Sequence, residues 1–213
     1  MEHPPHGDAS LHGTDVVIEI TACIPSIPPR VTMLTRSIDS VVRQSFPVKA
    51  VSVALDTTHK GAAATRQSAL DPVQTEWVAF IDDDDWMYPN HLEVLSRAAV
   101  ENNADYVFSY YMVHDAQGNV MPDVDPLTHF GRSFDPTNPH QTTITTLVRT
   151  ELAKSVGFYK PVDGQTVDGQ TWGEDYQFTL GCVAAGAKII HVPERTWAWC
   201  HHEGNTSGRS DRW

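Results

Sequence analysis

Four apolar, β-branched stretches recur in the first half of the chain with helix-spaced segments between them, and this alternation restricts the fold more than any other feature. The stretches are VVIEITACI (16–24), VKAVSVAL (48–55), EWVAFI (76–81) and ADYVFSYYMV (104–113). Between the first two, residues 30–45 place Val31, Leu34, Ile38, Val41 and Val42 at helical intervals. Between the next two, the alanine-rich 61–70 segment starts after Gly61, and residues 89–102 carry Pro89 where a first helical residue belongs. Strand, helix, strand, helix, strand, helix, strand predicts an α/β fold with a doubly wound, mostly parallel central sheet and helices on both faces. EWVAFI is almost continuously apolar, as expected of a strand covered on both sides. Ligands of such sheets bind beyond the carboxyl ends of the strands, where Asp56 and the run Asp82–Asp85 lie.

The second half is less regular. Residues 115–122 predict a turn around Gly118-Asn119, and 122–140 is too rich in proline and polar residues for a regular element. A strand (141–148) and a short helix (150–157) precede a second loop, 159–172, in which VDGQT occurs twice. A helix over 173–187 opens with two acids, a last strand covers 188–192, and a tail ends the chain.

The stretch FIDDDDWMYPNHL (80–92) concentrates four like charges at one strand end. Either water screens them or a cation sits among them. One acid would suit the dipole of the following helix, but one suffices. An EF-hand frame counted from Asp82 puts Glu93 at its twelfth position, yet Trp86 and Met87 stand where a ligand and a glycine are required, and a strand precedes it. A divalent cation, Mn²⁺ or Mg²⁺, held by one or two carboxylates and by a ligand's phosphates satisfies the pattern. It would neutralise a diphosphate and stabilise it as a leaving group. The net charge of −12, from 15 basic and 27 acidic residues in 213, argues against nucleic acid or an anionic membrane as partner. Cys23, Cys182 and Cys200 form no CxxC pair, which speaks against structural zinc and a disulfide framework. The first 15 residues lack the apolar core of a signal peptide, and no run approaches the ~18 apolar residues of a membrane span. The expectation is a cytoplasmic protein of a reducing compartment.

Taken together, ACIPSIPPR, VALDTTHKGAAATRQSAL, EWVAFIDDDDWMYPNHL and WGEDYQFTLGCVAAGAKIIHVPERTWAWCHHEGNTSG resemble a family-2-type glycosyltransferase of the GT-A fold, over about residues 16–208. The resemblance implies a nucleotide-sugar-binding half (16–113) and an acceptor and catalytic half (114–208), flanked by tails 1–15 and 209–213. It sets Pro25 and Asp56 beside the nucleotide, Asp56 accepting from a base N–H such as uracil or guanine offers; read alone, Asp56 is equally a strand-end turn residue. Arg66 takes the place of the arginine in the family's ARN motif, here TRQ with Gln67 for asparagine, and is implied at the diphosphate; read alone, it is equally a surface helix residue. The DxD motif falls on Asp82, Asp83 and Asp84, with Asp84 the main metal ligand, Asp82 facing ribose and metal, and Asp85 an extra acid near the donor sugar.

The acidic pair at 174–175 supplies the family's catalytic base, assigned to Asp175 with Glu174 as alternate, although acids also simply favour helix N-termini. Trp172 offers a flat apolar face to the acceptor sugar, or anchors a core. The C-terminal histidine that reaches the metal or diphosphate is His202 in preference to His201. The implied reaction moves a sugar from a UDP- or GDP-linked donor to an acceptor hydroxyl with inversion. The acceptor is a glycan, lipid-linked sugar, protein or small molecule, with loops 122–140 and 159–172 as its determinants and a homo-oligomer or partner completing that side. Two alternatives stand beside it: a nucleotidyltransferase, which would want a glycine-rich loop where this chain has IPSIPPR, and a non-catalytic binding protein of the same fold.

Overall fold

The computed structural model describes residues 18–121, 132–139, 144–159 and 173–205. Trp172, most of loop 159–172, and residues 122–131 and 140–143 lie outside the described residues. Among the described residues, seven strands, β1 (Ile20–Ser26), β2 (Ala50–Leu55), β3 (Trp77–Phe80), β4 (Trp86–Met87), β5 (Tyr106–Asp115), β6 (Thr146–Arg149) and β7 (Ile189–His201), form one sheet in the order β2-β1-β3-β6-β5-β7-β4. The pairs β1–β2, β1–β3 and β5–β7 are parallel, and β3–β6, β5–β6 and β4–β7 are antiparallel. Only β6 and β4 therefore run against the common direction.

The period-2 alternation of the strands divides the core. Ile20, Ala22, Ile24, Trp77, Ala79, Ile81, Val107 and Leu147 pack on one face with Val41 of helix α1 (Val31–Val42) and Leu92, Leu95 and Ala99 of α3 (His91–Glu101). Cys23, Val78, Phe80, Tyr106, Phe108 and Val148 point the other way. They meet Leu70 of α2 (Ala62–Leu70), Ala153 of α4 (Thr150–Val156) and Phe178 and Cys182 of α5 (Glu174–Ala184). Helices thus cover both faces, as the alternation predicts. In α1 the apolar stripe is narrower than its spacing suggests: Val31 and Val42, at its two ends, are 52% and 59% exposed.

Two elements depart from the sequence reading. The 188–192 strand continues to His201, so most of WAWCHH is strand rather than tail. Pro193 conceals the continuity. Phe108 pairs with His191 and Tyr110 with Arg195, so the extra residues of β7 bulge out around the proline, which has no N–H to offer the ladder. The two-residue β4 exists through its pairing with Trp197 and Ala198. The Gly118 turn forms as expected, with Gly118 N–H donating to Asp115 O at 3.0 Å.

At the carboxyl end of the sheet, β3 leaves β1 after the pair Cys23–Phe80, whereas β2 follows β1 as far as Ser26. Buried Pro25 and Ser26 therefore lie beside the acidic run that follows β3, and Ser26 Oγ donates to Asp83 Oδ2 at 2.8 Å. No helix among the described residues is long and apolar enough to cross a membrane.

Candidate active site

The acidic run turns immediately after β3, with Asp85 N–H donating to Asp82 O at 3.3 Å. Side chains of α1 fix that turn: Ser37 Oγ donates to Asp82 O at 3.1 Å and Arg36 Nη2 to Asp84 O at 3.0 Å. The Arg36 guanidinium also lies 4.0 Å from the centre of the Trp86 ring, a cation–π contact that holds both side chains. The backbone is thereby anchored from below, and the carboxylates are free to gather.

Each carboxylate has its own partners. Arg66 Nη2 donates to Asp82 Oδ1 at 2.7 Å. Ser26 Oγ (2.8 Å) and Arg30 Nη1 (3.1 Å) donate to Asp83. Arg30 Nη1 also lies 2.7 Å from Asp84 Oδ2, which His202 Nε2 approaches at 3.1 Å. Asp85 Oδ1 accepts the Cys200 N–H of β7 at 2.9 Å. Asp83, Asp84 and Asp85 are only 3–6% exposed.

So much buried negative charge perturbs protonation. Burial, reinforced by Asp84 and Asp82, pushes Asp85 well above the usual carboxylate range. Burial and the neighbouring Asp84 push Asp83 up to about 6. Burial also raises Asp82, though Arg66 opposes it. Asp84 goes the other way: burial is outweighed by the His202 hydrogen bond and the Arg30 charge, and its carboxyl is held low. Two arginines therefore leave the cluster short of positive charge, a deficit that a cation relieves.

The donor set suits a hard divalent ion. Asp82, Asp84 and Asp85 each offer an oxygen, all within 4.8 Å of one another. Oxygens around an octahedral ion of ~2.1 Å bond length lie about 3–4 Å apart, so a small contraction completes the fit. Asp85 joins the expected Asp82 and Asp84 in this set, and His202 stands beside it through its contact with Asp84. Nδ1 of His202 accepts the Gly204 N–H at 3.0 Å, which leaves the ring proton on Nε2, facing Asp84. His201, the last residue of β7, is exposed, as alternation along an extended segment requires once His202 points inward.

The second acidic pair opens α5, where Gly173 is the extended residue before the first turn. Glu174 is ion-paired with Arg66 Nη1, so one arginine touches both acidic motifs. Arg66 is 6% exposed; the surface-helix reading does not hold. Asp175 Oδ1 accepts the Tyr176 N–H at 2.7 Å, and no other hydrogen bond reaches its carboxylate among the described residues. Its protonation is raised by burial, offset by Arg66 and reinforced by Glu174. A carboxylate free of a side-chain partner and shifted upward is a competent proton acceptor.

Asp56 ends β2 with Oδ1 accepting from Thr58 N–H (3.0 Å) and Oδ2 from Gly61 N–H (2.8 Å). Burial works against its charge, but the backbone N–H groups of Lys60, Gly61 and Thr58 outweigh it and hold the carboxyl low. Gly61 permits this loop through its φ of +88°. These three donors leave one of the four acceptor sites of the Asp56 carboxylate open.

The residue that the sequence reading missed is Arg30. Its place in IPSIPPR, directly before α1, was visible, but its partners are remote: Asp83 is 53 positions away and Gly204, whose carbonyl accepts from Nη2 at 2.7 Å, is 174 away.

Several known proteins resemble this chain in fold or sequence. The crystal structure of S. aureus TarS residues 1–349 in complex with UDP-GlcNAc superposes with a TM-score of 0.72 at 16% identity, over 91% of this chain and 61% of that one. TarS 1–349 in complex with UDP gives 0.68 at 17% identity, over 86% and 61%. The chain thus spans about three fifths of these structures, and the likeness establishes the GT-A fold. Glycosyltransferase GlyA of Streptococcus pneumoniae serotype 4 (strain ATCC BAA-334 / TIGR4) is 31% identical over 65 residues, 30% of this chain and 9% of GlyA. The model of glycosyl transferase family 2 matches residues 49–157, just over half of the chain, a segment that contains Asp56, Arg66 and the whole acidic run. The chain belongs to glycosyl transferase family 2.

Proposed function

We propose that this chain is a glycosyltransferase that moves a sugar from a nucleotide-diphosphate donor, a UDP-sugar, to an acceptor hydroxyl with inversion. The observation that carries this reading is the bridge made by Arg66, which brings the acidic run after β3 and the acidic pair of α5 to one edge of the sheet. A site built this way pairs a place for the departing diphosphate with a place for a base. The TarS structures, solved with UDP-GlcNAc and with UDP, support uracil as the base of the donor.

In this reading Asp56 accepts from the uracil N–H at its one open acceptor site, beside Pro25. Asp82, Asp84 and Asp85 hold a divalent cation, Mn²⁺ or Mg²⁺, with His202 and Asp83 around it. When bound, that cation neutralises the diphosphate and stabilises it as a leaving group. Arg66 adds positive charge on the same side. Asp175, half-buried and without a side-chain partner among the described residues, takes the proton from the acceptor hydroxyl as its oxygen attacks the anomeric carbon from the face opposite the diphosphate. Glu174 is already committed to Arg66 and serves to position it, which favours Asp175 as the base.

The test is UDP binding in Mn²⁺ by titration calorimetry, comparing the wild type with Asp84→Ala. The variant should lose the Mn²⁺-dependent part of the affinity. Equal affinities would remove Asp84 from the cation site, and the leaving-group half of the proposal with it.

A further inference from the structure

Arg30 closes a 3-10 turn, Pro28–Arg30, whose two prolines limit the backbone before α1. From there its guanidinium reaches Asp83 Oδ1 at 3.1 Å, Asp84 Oδ2 at 2.7 Å and Gly204 O at 2.7 Å, with the side chain 12% exposed. The turn after β7 is a self-bonded unit. His202 N–H donates to Asn205 Oδ1 (2.6 Å), Asn205 Nδ2 to Cys200 O (3.0 Å), Asn205 N–H to His202 O (3.1 Å) and Gly204 N–H to His202 Nδ1 (3.0 Å). Among the described residues, the side-chain hydrogen bonds that tie the turn to anything beyond β7 are Arg30–Gly204 and His202–Asp84. Both run through groups that converge on Asp84 Oδ2.

We propose that Arg30 is a positioning residue that competes with the divalent cation for Asp84 and thereby links occupation of the site to release of the 202–205 turn. The inference rests on the reading of the acidic run as a cation site. A divalent ion bound at Asp84 would stand a few ångström from a guanidinium that already holds the same oxygen, and two cations that close repel strongly at the effective dielectric of a protein. Arg30 then gives up Asp84 and keeps Asp83, and its hold on Gly204 weakens. The guanidinium so released carries donors in a fork suited to phosphate oxygens, next to where the diphosphate is proposed to bind. Arg30 thus lowers the affinity for the free cation and reserves it for a cation that arrives with an anionic ligand.

The experiment uses the full chain and Mn²⁺ alone, without nucleotide. Calorimetry should show Arg30→Gln binding Mn²⁺ at least about tenfold more tightly than wild type, since the competing charge is gone. Arg30→Lys, which keeps the charge, should stay within about threefold of wild type. Hydrogen exchange read by mass spectrometry should show the 202–205 amides exchanging faster in Arg30→Gln, and faster in wild type once Mn²⁺ is added. Mn²⁺ affinity in Arg30→Gln equal to or weaker than wild type overturns the proposal while leaving the cation site standing. Should wild type and variants all fail to bind Mn²⁺, the cation site and this inference fall together. If Arg30→Gln does not fold, wild-type exchange decides: amides 202–205 no faster with Mn²⁺ than without would overturn the proposal.

Discussion

Replacing Arg66 with alanine removes the cation that touches both acidic motifs. Arg66 is 6% exposed, while the side chains of its partners Asp82 and Glu174 keep 27% and 23% of their surface. Deleting one member of a fully buried ion pair costs about 3–5 kcal/mol, because the partner's charge is left unpaired. The partial exposure of both carboxylates favours the lower end, about 3 kcal/mol. At ~2–4 °C per kcal/mol for a chain of this size, the melting temperature should drop by about 6–12 °C. Arg66→Met, which keeps the buried stem, should lose nearly as much, since the loss comes from charge more than packing. Adding Asp82→Asn to Arg66→Ala should restore part of the stability, because a neutral amide needs no counter-charge. Circular dichroism melts in EDTA at pH 7.5 would measure all three. A fall under about 1 kcal/mol in Arg66→Ala would refute the reasoning and return Arg66 to the protein surface.

Other parts of the site and core give further predictions. Asp175→Asn should leave UDP binding unchanged and lower the transfer rate by at least ~10², the usual worth of a positioned base. Because the Asp175 pKa is raised, wild-type transfer should climb as pH rises through a value above the usual carboxylate range, and the variant should lose that limb. In the core, His91 Nδ1 is 2.6 Å from Thr196 Oγ1 and Nε2 has no partner among the described residues. Burial lowers its pKa to about 3. A His pKa below its unfolded value of ~6.5 contributes stability that is complete above pH 6.5 and drains away as pH falls toward 3, at about 1.4 kcal/mol per unit. Urea unfolding should therefore show wild type losing about 2 kcal/mol more than His91→Gln between pH 6.5 and 5; parallel pH curves would mean that His91 does not titrate in this range.

The alternating elements were legible because burial on two sheet faces imposes a period that neighbouring residues reveal by themselves. Strand direction is not such a property: nothing within TLVR says that β6 runs against β3. Strand β4 has two residues and no local signal, and Pro193 reads as a stop although the ladder bulges around it and resumes. The acids at 82–85 and 174–175 stood out because adjacent like charges demand an explanation. Arg66 stood out only through the family resemblance, since its alanine-rich helix has little contrast between faces and the side that is covered depends on β1 and β2. Arg30 escaped for a related reason: its partners come from a strand end and from the turn after β7, which only the fold brings together.

The central claim is that the acidic run holds a cation for a nucleoside diphosphate, and a thermal unfolding comparison with UDP, in Mn²⁺ and in EDTA, tests it directly. At ~100 times its Kd a ligand stabilises by about 2.7 kcal/mol, worth ~5–11 °C here. The account predicts that shift for UDP with Mn²⁺ and little or none for UDP in EDTA. An equal shift under both conditions would contradict the cation's role, and no shift under either would contradict the nucleotide site itself.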